Sequence, residues 1–200
     1  MTTLQTATRQ APAPRQLRSQ LLVGLTQTVE RTEAIDAGAR VLQPLADAVT
    51  RAPAVDAALR GTWLGHALPP MLTDFPRGAW TSTTLLDLIG GPRARPAATG
   101  LLTFGVAAAV PTALAGLAEW RATDGPARRV GIAHAGINTS ALALYTASLV
   151  TRLRGRYRAA TALGVAGGVA ATVGGYAGGH LSLVRKIGTA DPAFAESPTR

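Results

Sequence analysis

Three long stretches without any charged residue constrain the fold of this chain more than any other feature. They contain 23, 22 and 26 residues and lie between Arg95 and Glu119, between Arg129 and Arg152, and between Arg158 and Arg185. An α-helix needs about 20 predominantly apolar residues to cross the roughly 30 Å hydrocarbon core of a bilayer. The three stretches therefore predict three membrane-spanning helices.

A fourth, shorter apolar stretch precedes these three and carries two charges. It covers residues 75–91 and contains Arg77 and Asp87. A Thr-Asp-Phe-Pro run at its beginning is a helix start signal, and a Gly-Gly-Pro run at its end is a stop signal. We interpret it as a short membrane span whose Arg77 side chain extends to the interface. A buried or re-entrant helix is the alternative.

Four helices follow from this pattern, at about 75–91, 96–119, 130–151 and 158–184. The connections between them are short, which forces neighbouring helices to run antiparallel. Glycines four residues apart in the last helix would let helix backbones approach closely. The predicted fold class is therefore all-α: an integral-membrane four-helix up-down bundle with an N-terminal helical extension.

The residues before the first span differ from the rest in composition. A Pro- and Ala-rich beginning predicts disorder, and the following apolar residues among charges predict an amphipathic helix. The predicted segments are a disordered tail over 1–20, an amphipathic helical extension over 21–64, a four-helix transmembrane domain over 65–187 and a flexible C-terminal tail over 188–200.

Charge hardly decides the orientation of such a protein in the cell membrane. The first and third loops carry six Arg residues. Seven basic residues lie near the span ends on the side with the termini: Arg60, Arg77, Arg121, Arg128, Arg129, Arg185 and Lys186. The positive-inside rule does not separate these numbers. The first 18 residues have no apolar stretch of the kind found in a signal peptide. We therefore expect a multi-pass protein with about four helices and cytoplasmic termini.

Composition excludes several function classes. The chain has no cysteine, which removes disulfides, zinc–thiolate sites, cysteine nucleophiles and iron–sulfur clusters held by this chain. Its net charge of +9 comes from arginines at the predicted span ends, so we do not expect nucleic-acid binding. The densest group is typical of a surface contact with anionic lipid and consists of Arg152, Arg154, Arg156 and Arg158. No serine lies in a nucleophile-elbow setting, so no catalytic residue is predicted.

The three histidines of the chain all map to one end of the predicted bundle. His66 precedes the first span, His134 lies near the start of the third and His180 near the end of the fourth. Glu119 ends the second of the four predicted helices, at the same end. Imidazoles with a carboxylate are ligands for iron, zinc, copper or manganese, and two facing imidazoles can hold a b-type haem.

We therefore name His66, His134 and His180 as candidate cofactor-binding residues, and the same three with Glu119 as candidate metal ligands. Ionisable side chains within a span usually face the bundle interior, which is where a cofactor would lie. The alternatives are hydrogen bonding of these histidines across helices and a proton relay.

Several motifs of the chain resemble those of one known family. They are Gly61-Thr-Trp-Leu-Gly-His-Ala-Leu-Pro-Pro, Gly116-Leu-Ala-Glu-Trp, His134-Ala-Gly-Ile-Asn and Gly174-Gly-Tyr-Ala-Gly-Gly-His. Over residues 58–184 the chain resembles the bacterial membrane family known as domain of unknown function 2231. The resemblance implies four membrane helices. Some relatives carry a Rieske-type iron–sulfur domain after the fourth helix, which implies a redox context.

The chain departs from the Gly-His-Pro-Leu-His-Pro motif that is usual in that family. Ala67 replaces the first proline, and Pro69 stands where the second histidine usually lies. A site that needs this second histidine could not form here. The chain also lacks the cysteines of a Rieske domain, so a redox partner would be a separate protein.

Two function hypotheses follow from these observations. The first is an uncharacterised integral membrane protein that binds haem b or a transition metal and takes part in membrane electron transfer with a separate iron–sulfur or respiratory membrane protein. The second is a non-catalytic structural or assembly subunit without a cofactor. In both, the lipid bilayer is a partner, and a homo-oligomer is an additional hypothesis.

Overall fold

Helices account for most of the described chain. The computed structural model describes residues 14–194, with side chains from residue 20 onward. The helices are α1 (Pro14–Arg31), α2 (Ala39–Val49), α3 (Pro53–Arg60), α4 (Pro69–Ile89), α5 (Arg95–Arg121), α6 (Gly125–Leu153) and α7 (Tyr157–Gly179). A π-helical turn, His180–Val184, continues α7. No β-strand occurs between residues 14 and 194, so the all-α prediction is confirmed.

The four long helices lie close to the predicted spans, and the largest difference is at the start of α4. The sequence predicts a start at residue 75, but α4 begins with Pro69 and Pro70 in its first turn. Proline suits this position because the first amides of a helix have no intrahelical partner. Pro76 therefore lies inside α4. After the helix, Gly91 adopts a φ of +64°, which favours glycine and agrees with the predicted stop.

Helices α4 to α7 pack in a ring. Helix α4 lies against α5 and α7, and α6 lies against the same two helices. The apolar core of the ring contains Trp80, Leu102, Ala109 and Tyr145. Gly105 on α5 leaves room for the indole, since a Cβ at this position would lie 2.6 Å from Trp80 Cδ1.

Two segments of the described chain are long and apolar enough to cross a membrane. They are Pro92–Arg121 and Tyr157–Val184, and only 28% and 22% of their most apolar windows are buried. A core helix of a soluble protein would be mostly buried, whereas a lipid-facing helix exposes apolar side chains. Val169 on α7 is 63% exposed, as expected for a lipid-facing helix. Helices α4 and α6 do not meet this criterion. Length and apolar composition therefore support two of the four predicted spans.

The helices before α4 pack on one end of the ring. We call it the terminal end; it comprises the first turns of α4 and α6 and the last turns of α5 and α7. Helix α1 contacts α6, and α2 and α3 contact α5. Ion pairs join the two parts: Asp36 to Arg129 at 2.9 Å and Asp47 to Arg121 at 2.7 Å. The extension is thus held to the ring by opposite charges.

Helix α1 begins within the stretch that the sequence assigns to a disordered tail, residues 1–20. Residues 14–20 belong to α1, and residues 1–13 lie outside the described residues. Helix α1 as a whole packs on α6, a tertiary contact that composition alone does not reveal.

The described part of the predicted C-terminal tail, residues 188–200, contacts the segment before α4. The amide of Asp191 donates to the carbonyl of Gly65 at 2.9 Å, and the Phe194 ring lies beside Gly65. Residues 195–200 lie outside the described residues. Backbone hydrogen bonds hold this segment, and such bonds leave little trace in side-chain composition.

Candidate functional site

His134 on α6 faces the glycine-rich end of α7. Its Nδ1 lies 2.9 Å from the carbonyl oxygen of Gly174. A carbonyl only accepts hydrogen bonds, so this bond requires the proton on Nδ1. A Cβ at Gly178 would lie 2.8 Å from His134 Cε1. Gly178 therefore gives the imidazole room to lie against α7.

Asn138 lies one turn further along α6 and packs against a second glycine of α7, Gly174. A Cβ at Gly174 would lie 2.7 Å from Asn138 Nδ2, and this amide nitrogen donates to the carbonyl of His134 at 2.8 Å. The paired glycines of α7 thus admit a histidine and an asparagine from α6. A haem held by His134 would need the space beside these glycines, which the side chains of His134 and Asn138 occupy.

His180 lies in the π-helical turn after α7 and contacts the extension. Its Nε2 is 2.8 Å from Glu30 Oε1, and both side chains are largely buried. Arg185 Nε donates to the same Glu30 oxygen at 2.8 Å. This hydrogen bond from Arg185 holds the pKa of Glu30 below its ordinary value, against the opposing effect of burial. Glu30 thereby joins α1 to the end of α7.

His66 and Glu119 both contact the segment after the π-helical turn. The backbone of His66 forms an isolated antiparallel bridge with Ala190, and its Nδ1 lies 3.1 Å from the carbonyl of Ala67. The Glu119 carboxylate accepts the amide of Thr189 at 3.1 Å and is 9% exposed. These two residues therefore hold residues 189–190 against the ring.

All four candidate residues lie at the terminal end, but they form separate contacts. His134 binds Gly174 and His180 binds Glu30, while Glu119 binds Thr189. Between residues 14 and 194, no three His, Cys, Asp or Glu side chains gather in a group that could hold a metal ion. The structure brings the residues to one end of the ring and gives each its own partner.

A buried ion pair at the other end of the ring is absent from the sequence analysis. Arg152 Nη1 donates to Asp87 Oδ1 at 2.8 Å, and Arg152 Nη2 contacts the second carboxylate oxygen. The two side chains are 1% and 7% exposed. Arg152 is therefore not part of the surface cluster to which the sequence assigns it. The sequence does contain one signal for this pair. Asp87 and Arg152 lie near the C-terminal ends of the first and third predicted spans, which are at the same end of an up-down bundle.

Arg77 also lies elsewhere than the sequence predicts. A Cβ at Gly175 would lie 3.5 Å from Arg77 Nη1, so the guanidinium lies against α7 and not at the interface. Gly175 precedes Arg185 by ten residues, which corresponds to about 15 Å along a helix. Glycine at this position leaves space beside α7 that a long side chain on α4 can fill.

Comparison with known proteins identifies the family of this chain. The family model described as "Predicted membrane protein (DUF2231)" matches residues 65–191. No curated protein and no solved structure matches the chain. The matched range includes α4 to α7 and the segment that contacts Glu119 and His66. The chain therefore belongs to the DUF2231 family of predicted membrane proteins.

Proposed function

We propose that this chain is a multi-pass membrane protein in which α4, α5, α6 and α7 all cross the bilayer, and that it serves as a non-catalytic structural or assembly subunit. The observation that carries the role is how its candidate ligands are used. Each binds a group on another segment of the chain: His134 binds Gly174, His180 binds Glu30 and Glu119 binds Thr189. Polar side chains that join segments in this way support a scaffold role.

The packing of α4 and α6 supports their inclusion among the spans. Each contacts α5 and α7, the two helices that are apolar enough to cross a membrane. A bilayer accepts a helix with charged residues when neighbouring helices satisfy them. The Asp87–Arg152 pair provides this for both helices, because Asp87 lies on α4 and Arg152 on α6.

Four spans would place both the extension and residues 188–194 on one side of the membrane. We assign this side to the cytoplasm. Next to the helix ends this side carries Arg60, Arg121, Arg128, Arg129, Arg185 and Lys186, against six Arg residues on the other side, and the extension adds Arg31, Arg40 and Arg51. The difference is in the direction of the positive-inside rule. Labelling of the loops from each side of the membrane tests the assignment.

The structural role is tested by the cofactor content of the full-length protein purified in detergent. After expression with haem precursor and metals supplied, we expect no Soret band and no stoichiometric metal. His134→Ala should lower the unfolding temperature, because it removes the bond to Gly174. Ser140→Ala, an exposed change on the same helix, is the matched control. A Soret band or stoichiometric metal that disappears in the His134→Ala/His180→Ala double variant would contradict the role.

An assembly subunit also binds another membrane protein. Mild purification from native membranes, followed by crosslinking, should therefore yield a defined partner or a defined homo-oligomer. A chain that is monomeric and unaccompanied under these conditions would contradict the assembly part of the proposal and leave only a structural role within the membrane.

Metal binding in electron transfer is the second candidate function. It is supported by the location of His66, His134, His180 and Glu119 at one end of the ring, and by the redox context that the Rieske-bearing relatives imply. Gly174 and Glu30 each occupy one ring nitrogen, Nδ1 of His134 and Nε2 of His180, so a metal would bind the other nitrogen and would take further ligands from a separate protein. Stoichiometric metal in the purified protein would favour this candidate over the structural role.

A further inference from the structure

We propose that the end of the ring opposite the terminal end binds the phosphate groups of anionic phospholipids. Four exposed arginines carry this inference, and we call them the arginine patch: Arg93, Arg95, Arg156 and Arg158. The first two lie where the chain passes from α4 into α5, and the other two lie at the start of α7. The patch therefore combines two connections of the ring that are distant in sequence.

A cation–π contact joins the two halves of the arginine patch. The guanidinium carbon of Arg95 lies 4.2 Å from the centroid of the Tyr157 ring, and Arg156 and Arg158 are the chain neighbours of Tyr157. A guanidinium that stacks on a ring keeps the N–H groups at its edge, which can donate to two oxygens of a phosphate. Charge spacing alone groups Arg156 and Arg158 with Arg152, which is buried; the contact with Tyr157 adds Arg95 instead.

The arginine patch has no acidic partner among the described residues. No Asp or Glu occurs in residues 88–118 or 125–190, and the nearby Asp87 carboxylate pairs with Arg152. The terminal end differs, because carboxylates of the extension form ion pairs with arginines there. The patch thus presents four positive charges on one surface, and such a surface attracts anionic groups.

The position of the arginine patch places it at the level of lipid headgroups. The two candidate spans of the described chain are Pro92–Arg121 and Tyr157–Val184, and the four arginines lie in or beside their first turns. If these two helices cross the bilayer, their ends reach the layer of lipid phosphates. This step rests on the membrane part of the proposed function, and it needs only α5 and α7.

Exposed apolar side chains at the same end favour a phospholipid over an acidic protein or a free phosphate ion. Leu88 and Ile89 in the last turn of α4 are 61% and 83% exposed, and Leu153 at the end of α6 is 72% exposed. Apolar side chains beside arginine and tyrosine are typical of a membrane interface, where acyl chains begin just below the phosphates. A phospholipid provides both kinds of contact at once.

The proposal is tested on the full-length protein in detergent by its unfolding temperature. Phosphatidylglycerol and phosphatidylcholine with the same acyl chains are added in increasing amounts. We expect a saturable rise with phosphatidylglycerol that phosphatidylcholine does not produce, since a ligand that binds only the folded state stabilises it. Added salt should weaken the effect. Arg95→Gln/Arg158→Gln should lower the apparent affinity for phosphatidylglycerol roughly 30-fold.

Two further variants separate charge from a structural effect. Arg95→Lys/Arg158→Lys keeps both charges and should retain most of the affinity. Arg40→Gln/Arg51→Gln removes two exposed arginines of the extension and should keep wild-type affinity as the matched control. If Arg95→Gln/Arg158→Gln does not fold, Arg93→Gln/Arg156→Gln takes its place, because this variant leaves the contact between Arg95 and Tyr157 intact.

Four outcomes would overturn the proposal. They are an equal rise with the two lipids, an unchanged affinity in the Gln variants, the same rise with inorganic phosphate alone, and a crosslink to a protein but not to lipid. The crosslink is made in native membranes from a benzophenone on Ile89→Cys and would identify an acidic protein as the partner. Labelling of the loops tests the number of spans and does not enter this experiment, so a failure of the four-helix topology is distinguishable from a failure of lipid binding.

Discussion

Buried charge is the residue-scale feature on which the ring depends most. Arg152 and Asp87 contact each other through two N–H···O pairs, and almost none of either side chain is exposed. A buried charge loses its hydration, and only a well-placed partner replaces it. The pair therefore holds the ends of α4 and α6 together, and the loss of either member leaves the other uncompensated.

Removing one charge of this pair should destabilise the protein strongly, whereas removing both charges should not. We expect Arg152→Leu to lower the free energy of unfolding in detergent by about 3–5 kcal/mol, because Asp87 would stay buried without its counter-charge. The double variant Asp87→Leu/Arg152→Leu should recover most of the loss. Denaturant titration, monitored by tryptophan fluorescence, measures the free energy of unfolding of the single and the double variant. Arg154→Leu, at an exposed position, should change the free energy by less than about 0.5 kcal/mol.

Two neighbouring glycines of α7 test the contact of His134 with this helix. A Cβ at Gly178 would lie 2.8 Å from His134 Cε1, whereas a Cβ at Gly179 meets nothing within 4 Å. We expect Gly178→Ala to destabilise the protein by about 1–3 kcal/mol through overpacking. Gly179→Ala should be neutral or slightly stabilising, because alanine favours the helix over glycine. Equal effects of the two changes on thermal unfolding would show that His134 does not pack on α7.

At the element scale, the extension is held to the ring by carboxylates with lowered pKa values. The principal cause is a hydrogen bond from arginine in each case: Arg185 to Glu30, Arg129 to Asp36 and Arg121 to Asp47. A carboxyl with a lowered pKa in the docked state contributes stability above its ordinary pKa. That contribution is lost as the pH falls through the lowered value. Docking of the extension should therefore be stable at neutral pH and weaken in acid.

A spin label on α2 can follow this docking as a function of pH. The chain has no cysteine, so Ala48→Cys, at an exposed position, gives one labelling site. We expect the label to become more mobile below about pH 4, as the carboxylates protonate. The variant Glu30→Gln/Asp36→Asn/Asp47→Asn should show the mobile spectrum already at pH 7. A spectrum that is the same from pH 7 to pH 3 would contradict docking by these ion pairs.

Charge spacing predicts the long helices well because it is a local property of the chain. The charge-free stretches locate α5, α6 and α7 to within a few residues, since a spanning helix excludes charge along its whole length. The start of α4 is less well predicted. Pro69 and Pro76 are both suitable first-turn residues, so this local signal does not choose between them.

The candidate site is less predictable because its contacts are between distant segments. The sequence places His134, His180 and Glu119 at one end of the ring, but the partners of the last two, Glu30 and Thr189, lie 150 and 70 residues away. Arg152 and Asp87 are 65 residues apart. No local pattern selects such partners; packing of the helices does.

At the scale of the whole molecule, the proposed topology is a ring of four membrane helices with the extension on one side. Helices α5 and α7 satisfy the requirements of a span by themselves. Helices α4 and α6 depend on each other, because Asp87 on α4 and Arg152 on α6 form an ion pair within the ring. The four-helix topology is thus the central claim, and the structural role and the orientation both depend on it.

The most direct measurement of that claim is the accessibility of single cysteines in the three loops of the ring. Arg93→Cys, Ala122→Cys and Arg154→Cys are introduced one at a time at exposed positions, and intact cells are treated with a membrane-impermeant maleimide before and after permeabilisation. Four spans with cytoplasmic termini predict that positions 93 and 154 react in intact cells and that position 122 reacts only after permeabilisation. Reaction of positions 93 and 154 from opposite sides, or of all three from the same side, would contradict the four-helix topology.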